Sequence, residues 1–214
     1  MPIAGANMAI KTFTTEDFQA MEKRHRAHFI NSLSGYKSAN LIGSIDKHGV
    51  TNLSIVSSVV HLGADPALIA FVNRPHSVAR DTLDNIYSAK VFTINHVGAH
   101  IVNDAHHTSA RYPALISEFD QTNLSEEFHS LAAPYVSQSK IKIGVEFRQK
   151  IDIELNRTVL IIGEIVEVIL DDSLIAEDGK LSLEDAATVA VSGLDEYHLA
   201  DSLGRLAYAK PRTN

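Results

Sequence analysis

Two long runs in the last third of the chain, "KIKIGVEFRQKIDIEL" and "TVLIIGEIVEVIL", constrain the fold more than anything else in it. Between them "ELNRT" turns the chain back on itself. A hairpin of that length is a strong antiparallel signal. It sets the class as mainly β, with strands that return on their neighbours rather than cross over through helices.

The rest of the chain fits that frame. "TTEDFQAMEKRHRAHFINSLSG" reads as one helix, capped by Thr14 or Thr15. Phe18, Met21, His25, Phe29 and Leu33 form its apolar face, and Gly35 is placed to end it. "ANLIGSIDKHGVTNLSIVSSVVHL" reads as two strands joined at "DKHG", where Gly49 can take positive φ. "ADPALIAFVNR" is a third strand and "KVFTINHV" a fourth. Between these two lies a short helix, "RDTLDNIYSAK", with Asp81 or Thr82 as its cap and Leu83, Ile86 and Tyr87 as its buried stripe. Residues 98–139 form an excursion of helical pieces and loops, and a strand is possible near the C-terminus at Thr188–Val191. About six strands with hairpin connections imply an antiparallel barrel or sandwich, with helices packed outside. The expected organisation is a single domain: an N-terminal helical segment over residues 1–35, packed on a barrel over residues 36–214.

Composition removes several function classes. The chain has 214 residues, a net charge of −7 and no cysteine. Disulfides, thiolate catalysis and cysteine-held metal centres are therefore excluded. The acidic balance argues against general nucleic-acid binding, which needs a basic face. No apolar run approaches the roughly 18 residues of a membrane span. The N-terminus lacks a basic region followed by an apolar core, so no secretory signal is expected, and a cytoplasmic address fits. The chain has no G-x-G-x-x-G after a strand, no P-loop and no G-x-S-x-G.

Four constellations remain. In "FVNRPHSVARDTLDNI", Asn73, Arg74, His76, Ser77 and Arg80 crowd the mouth of a helix. Cations and hydroxyls at a helix N-terminus suit a phosphate; an ordinary strand–helix loop with solvated charges reads equally well. Asp81 would repel a phosphate, so Asp81 and Thr82 are read as the cap beside the cradle. In "TNLSIVSSV", Asn52, Ser54, Ser57 and Ser58 interrupt strand alternation. Small polar residues there let a heterocycle approach the backbone. A polar outer face or a bulge at Ser57–Ser58 is the plainer reading. His96, His100, His106 and His107 are dense enough for a metal but match no ligand spacing, which favours a solvated, partly interfacial helix. In "VSGLDEYH", Gly193 and Tyr197 read as a loop, the tyrosine packing on a ligand or on the core.

Taken in order, "GVTNLSIVSSV", "DPALIAF", "RDTLDNI", "VFTINHV", "SEFDQTNL", "IIGEIVEV" and "GLDEYH" resemble the flavin reductase-like, FMN-binding split-barrel family. The matching pieces run from about Ser38 to Tyr208. The resemblance implies a six-stranded antiparallel Greek-key split barrel, a homodimer, and FMN (or FAD) held near the subunit interface. It implies that residues Asn52 to Ser58, Leu53 included, face the isoalloxazine ring and ribityl chain. Arg74, His76, Ser77, Arg80, Asp81 and Thr82 would lie by the phosphate. The expected activity is hydride transfer from NAD(P)H to FMN. The electrons would pass on to free flavin, a partner monooxygenase or ferric iron, with no protein nucleophile. A non-catalytic FMN carrier is the alternative, and a His-cluster metal protein a more distant one. Two departures stand out: "LSIVS" replaces an apolar-Pro-[FY]-S block, and Val191-Ser192 precede Gly193 where an arginine is common.

Overall fold

The structure is a computed structural model that describes residues 9–74, 81–113 and 115–211. Its helices are α1 (Thr15–Ala20), α2 (Lys23–Ser32), α3 (Asp81–Ala89) and α4 (Val102–His107). Its strands, in chain order, are β1 (Lys37–Ser38), β2 (Asn40–Ile45), β3 (Thr51–Val56), β4 (Val60–Ala64), β5 (Ala67–Asn73), β6 (Val91–His96), β7 (Glu126–Glu127), β8 (Tyr135–Val136), β9 (Ile141–Ile153), β10 (Thr158–Leu170), β11 (Val189–Ser192) and β12 (Glu196–Leu199).

The long hairpin is β9 and β10, paired along nearly their whole length. Its turn is local chemistry. The Asn156 side chain accepts from Thr158 N at 3.1 Å and from Thr158 Oγ1 at 2.7 Å, while Arg157 adopts a φ of 60°. On either side of the hairpin the other strands complete an antiparallel sheet of order β3-β2-β6-β9-β10-β5-β4. The two edges, β3 and β4, do not pair, so the barrel is split.

That order corrects one expectation. The run "TNLSIVSSVVHL" is not one strand. It leaves the sheet at Ser57–Ser58 and rejoins it at the far edge as β4, so this one run supplies two of the seven paired strands. Ser58 marks the crossing: its hydroxyl donates to Val72 O at 2.9 Å and accepts from Val72 N–H at 3.1 Å. A side chain thus replaces two ladder bonds where the backbone has not yet reached pairing register.

Two apolar layers hold the sheet. Inside, Ile42, Phe71, Phe92 and Ile161 pack with Leu83 and Ile86 of α3. On the other face of β2 and β3, Leu41 and Leu53 pack with Val97 just after β6, with Ala105 and Phe119 from the 98–139 excursion and with Val189 and Val191 of β11. Burial on both faces explains why "NLIGSI" lacks clean alternation.

The N-terminal helix is also corrected. It breaks at Met21–Glu22 into α1 and α2, and neither piece has a fully buried residue. Thr14 caps α1 through a reciprocal capping box with Asp17. The Glu22 carboxylate then caps a second start, accepting from Arg24 N at 2.8 Å and His25 N at 3.0 Å. A weakly buried apolar face cannot outweigh that local alternative. Gly35, with φ of 72°, closes the turn after α2 as expected.

Candidate functional site

At the split, the ends of β3 and β5 stand beside β1, α2, α4 and the turn between β11 and β12. Together they enclose a groove of about 680 Å³. The sheet side contributes Ile55, Val56, Ser57 and Ser58 from the β3 exit and Val72, Asn73 and Arg74 from the β5 exit. Ile30, Asn31 and Ser34 close one side, and His106, Ser109, Leu194, Asp195 and Tyr197 the other. The walls mix aliphatic surface with hydroxyls and cations, as small-molecule pockets commonly do.

Two features fix its polar character. Lys37 Nζ donates to Asn31 O and to Gly193 O, both at 2.9 Å, tying α2 to the β11–β12 turn. Burial, and then Arg74 nearby, hold the Lys37 ammonium below the usual lysine range. On the opposite wall, His106 Nδ1 and the Tyr197 hydroxyl lie 2.9 Å apart, their rings edge to face at 5.7 Å. Burial, with a smaller push from Asp195, raises the Tyr197 phenol.

The sequence-predicted residues divide between this groove and a second place. Ser57, Ser58 and Arg74 line the groove. Asn52 and Asp81 instead line a smaller cleft of about 100 Å³ with Asn85, Tyr112 and Glu118. There the Asn52 amide is held on both sides: Thr82 Oγ1 donates to its Oδ1 at 2.6 Å, and its Nδ2 donates to Glu118 Oε2 at 2.7 Å. Leu53 is fully buried in the outer layer, and its N–H donates to the same Glu118 oxygen at 2.8 Å. Ser54 lies on the Asn52 side of β3, toward α3, and lines neither cavity. His76, Ser77 and Arg80 lie outside the described residues. Asp81 and Thr82 are inside α3, not its cap, because both already have helical conformation.

Sequence reasoning missed Glu118 and Lys37. Glu118 sits in "SEFDQTNL", where only the family resemblance marked it. Burial raises its carboxyl above the usual glutamate range, with Asp81 adding to the shift. Lys37 carries no local signal at all. Tyr197, read as lying on a loop, is instead on β12, and Gly193 makes the β11–β12 turn with φ of 59°. The four histidines go separate ways. Burial lowers His96 to about 4. His100 Nε2 lies 3.0 Å from Gln138 O, His106 meets Tyr197, and His107 Nε2 lies 2.7 Å from the Tyr112 hydroxyl. Among the described residues, no group of three or more His, Cys, Asp or Glu is arranged to hold a metal ion.

Comparison with known proteins agrees with this architecture. The model of the flavin reductase like domain matches residues 36–185. A solved structure from Shewanella frigidimarina NCIMB 400, assigned as a flavin reductase with a split barrel domain, is 48% identical. It superposes with a TM-score of 0.90 over 93% of this chain and 100% of that one. Component B of nitrilotriacetate monooxygenase from Bacillus cereus is 19% identical, with a TM-score of 0.81 over 92% of this chain and 99% of its own. Flavoredoxin of Desulfovibrio vulgaris (Miyazaki F) is 21% identical, with a TM-score of 0.71 over 82% and 92% of the two chains. At those identities the last two show a shared fold.

Proposed function

Because the chain belongs to the flavin reductase like domain family, we propose that it is an FMN-dependent oxidoreductase whose flavin occupies the groove at the barrel split. The observation that carries this reading is the groove itself: about 680 Å³, apolar at Ile55, Val56, Val72 and Leu194, and cationic at Lys37 and Arg74. Bound FMN would take a hydride from NADH or NADPH and deliver electrons to an acceptor such as free flavin, ferric iron or a partner monooxygenase.

The chain's own residues supply binding and orientation. Aliphatic side chains at the β3 and β5 exits exclude water from the flat face of a ring. Ser57 offers a hydroxyl to its polar edge or to the ribityl chain. Ser58 is committed to Val72, so its part is to hold the β3–β4 crossing in place. Arg74 attracts the phosphate end. Asn52, Leu53 and Thr82 act one layer behind, through the network on Glu118 that fixes β3 against α3. His76, Ser77 and Arg80, between Arg74 and α3, complete the proposed phosphate end. A homodimer with the groove near its interface belongs to the same reading.

The test is the visible spectrum of protein loaded with FMN, before and after anaerobic addition of NADH or NADPH. The expected result is one flavin per chain and bleaching of its absorbance by at least one donor. Bound flavin that neither donor bleaches would replace the reductase reading with an electron carrier. Failure to bind flavin would remove both.

A further inference from the structure

The groove contains two cations in a chain of net charge −7. Neither Lys37 nor Arg74 makes an ion pair among the described residues. Asp195, on the same groove, pairs with neither. Lys37 is also held in place. Its ammonium gives two N–H groups to Asn31 O and Gly193 O, and an ammonium has three donors. Arg74 is near enough to depress the Lys37 ammonium, so the two cations repel. An anion between them reverses the sign of both effects, replacing a repulsion with two charge-assisted contacts.

We propose that Lys37 and Arg74 form a phosphate clamp in the groove, with Lys37 as its fixed member. This rests on the flavin-groove reading above and adds to it a residue from β1, remote in sequence from the rest of the site. Two sources carry the required group: the terminal phosphate of FMN and the 2′-phosphate of NADPH. A dianionic phosphate suits the clamp because a divided charge can face both cations at once. Arg74 offers a planar fork and Lys37 a point charge.

The experiment measures affinities of Lys37→Gln and wild type for FMN, riboflavin, NADPH and NADH, by flavin fluorescence and by titration of the dinucleotides. If the flavin phosphate is the ligand, Lys37→Gln loses about tenfold or more for FMN and little for riboflavin. If the 2′-phosphate is the ligand, the same contrast falls between NADPH and NADH. Equal losses, or none, across both pairs overturn the clamp, since a lysine that only ties α2 to the β11–β12 turn would not distinguish phosphate-bearing ligands. Should Lys37→Gln fail to fold, the wild-type protein answers instead. Its FMN affinity then falls more steeply with salt than its riboflavin affinity, or its NADPH affinity more steeply than its NADH affinity; parallel slopes in both pairs overturn the proposal. A wild type that binds neither flavin removes the flavin reading of the groove. The clamp then stands or falls on NADPH against NADH.

Discussion

At the scale of single residues, Glu118 shows how a buried charge organises β3. The residue is 7% exposed, yet one carboxylate oxygen accepts from both Leu53 N–H and the Asn52 amide. Replacing it with leucine leaves two donors unsatisfied in a buried place and should cost about 1–3 kcal/mol of stability. Replacing it with glutamine keeps an acceptor and removes the charge that burial penalises, so Glu118→Gln should stay within about 1 kcal/mol of wild type near neutral pH. The pH dependence follows from the raised carboxyl. The folded state holds this proton more tightly than the unfolded one, so stability from this group is greatest at acid pH. It declines as pH rises from the unfolded value of about 4.3 through the folded value. Urea titrations at pH 5 and pH 8 should show that decline in wild type and a flatter profile in Glu118→Gln. A steeper profile in the variant would contradict the assignment.

At the scale of elements, the excursion between β6 and β9 is seated by missing side chains. Gly43, Thr93 and Gly144 stand side by side across β2, β6 and β9. Thr93 Oγ1 donates to Pro134 O at 2.6 Å. A Cβ at Gly43 would collide with that carbonyl and with the Thr93 hydroxyl; one at Gly144 would collide with the Tyr135 hydroxyl. These glycines are needed for close approach rather than for positive φ. Gly43→Ala should therefore destabilise by about 1–3 kcal/mol, the usual range for overpacking, and a thermal melt would measure it. Gly49→Ala tests a different cause: a φ of 88° with open space around the site. The turn at "DKHG" was legible because that requirement is local. The Gly43 requirement was not, because its partner lies in a segment far along the chain.

At the scale of the whole molecule, the N-terminal helices differ from the barrel in burial. Neither α1 nor α2 has a fully buried residue, yet Ile30, Asn31 and Ser34 wall the groove. We propose that residues 1–35 serve the groove more than the fold. A chain of residues 36–214 should melt within a few degrees of the full protein but bind FMN more weakly, read by calorimetry and flavin titration. Loss of cooperative folding on truncation would count against this. Much of the fold was readable from the amino acids: the β9–β10 hairpin, the antiparallel class, the turn at Gly49 and the helix over "DTLDNIYSA". Periodicity and turn chemistry act over a few residues, so the sequence carries them openly. The helix break at Glu22 was hidden because a second start capped by the Glu22 carboxylate competes with one continuous helix, and the apolar spacing does not rank the two. Only the tertiary structure could decide that β3 and β4 sit at opposite edges, and that a groove opens where β3 and β5 leave the sheet. It also decided that Glu118 serves Asn52 across 66 positions and that Lys37 reaches Gly193 across 156. Those pairings depend on where the order of strands in the split barrel brings distant chain segments, and no local pattern of side chains encodes that distance.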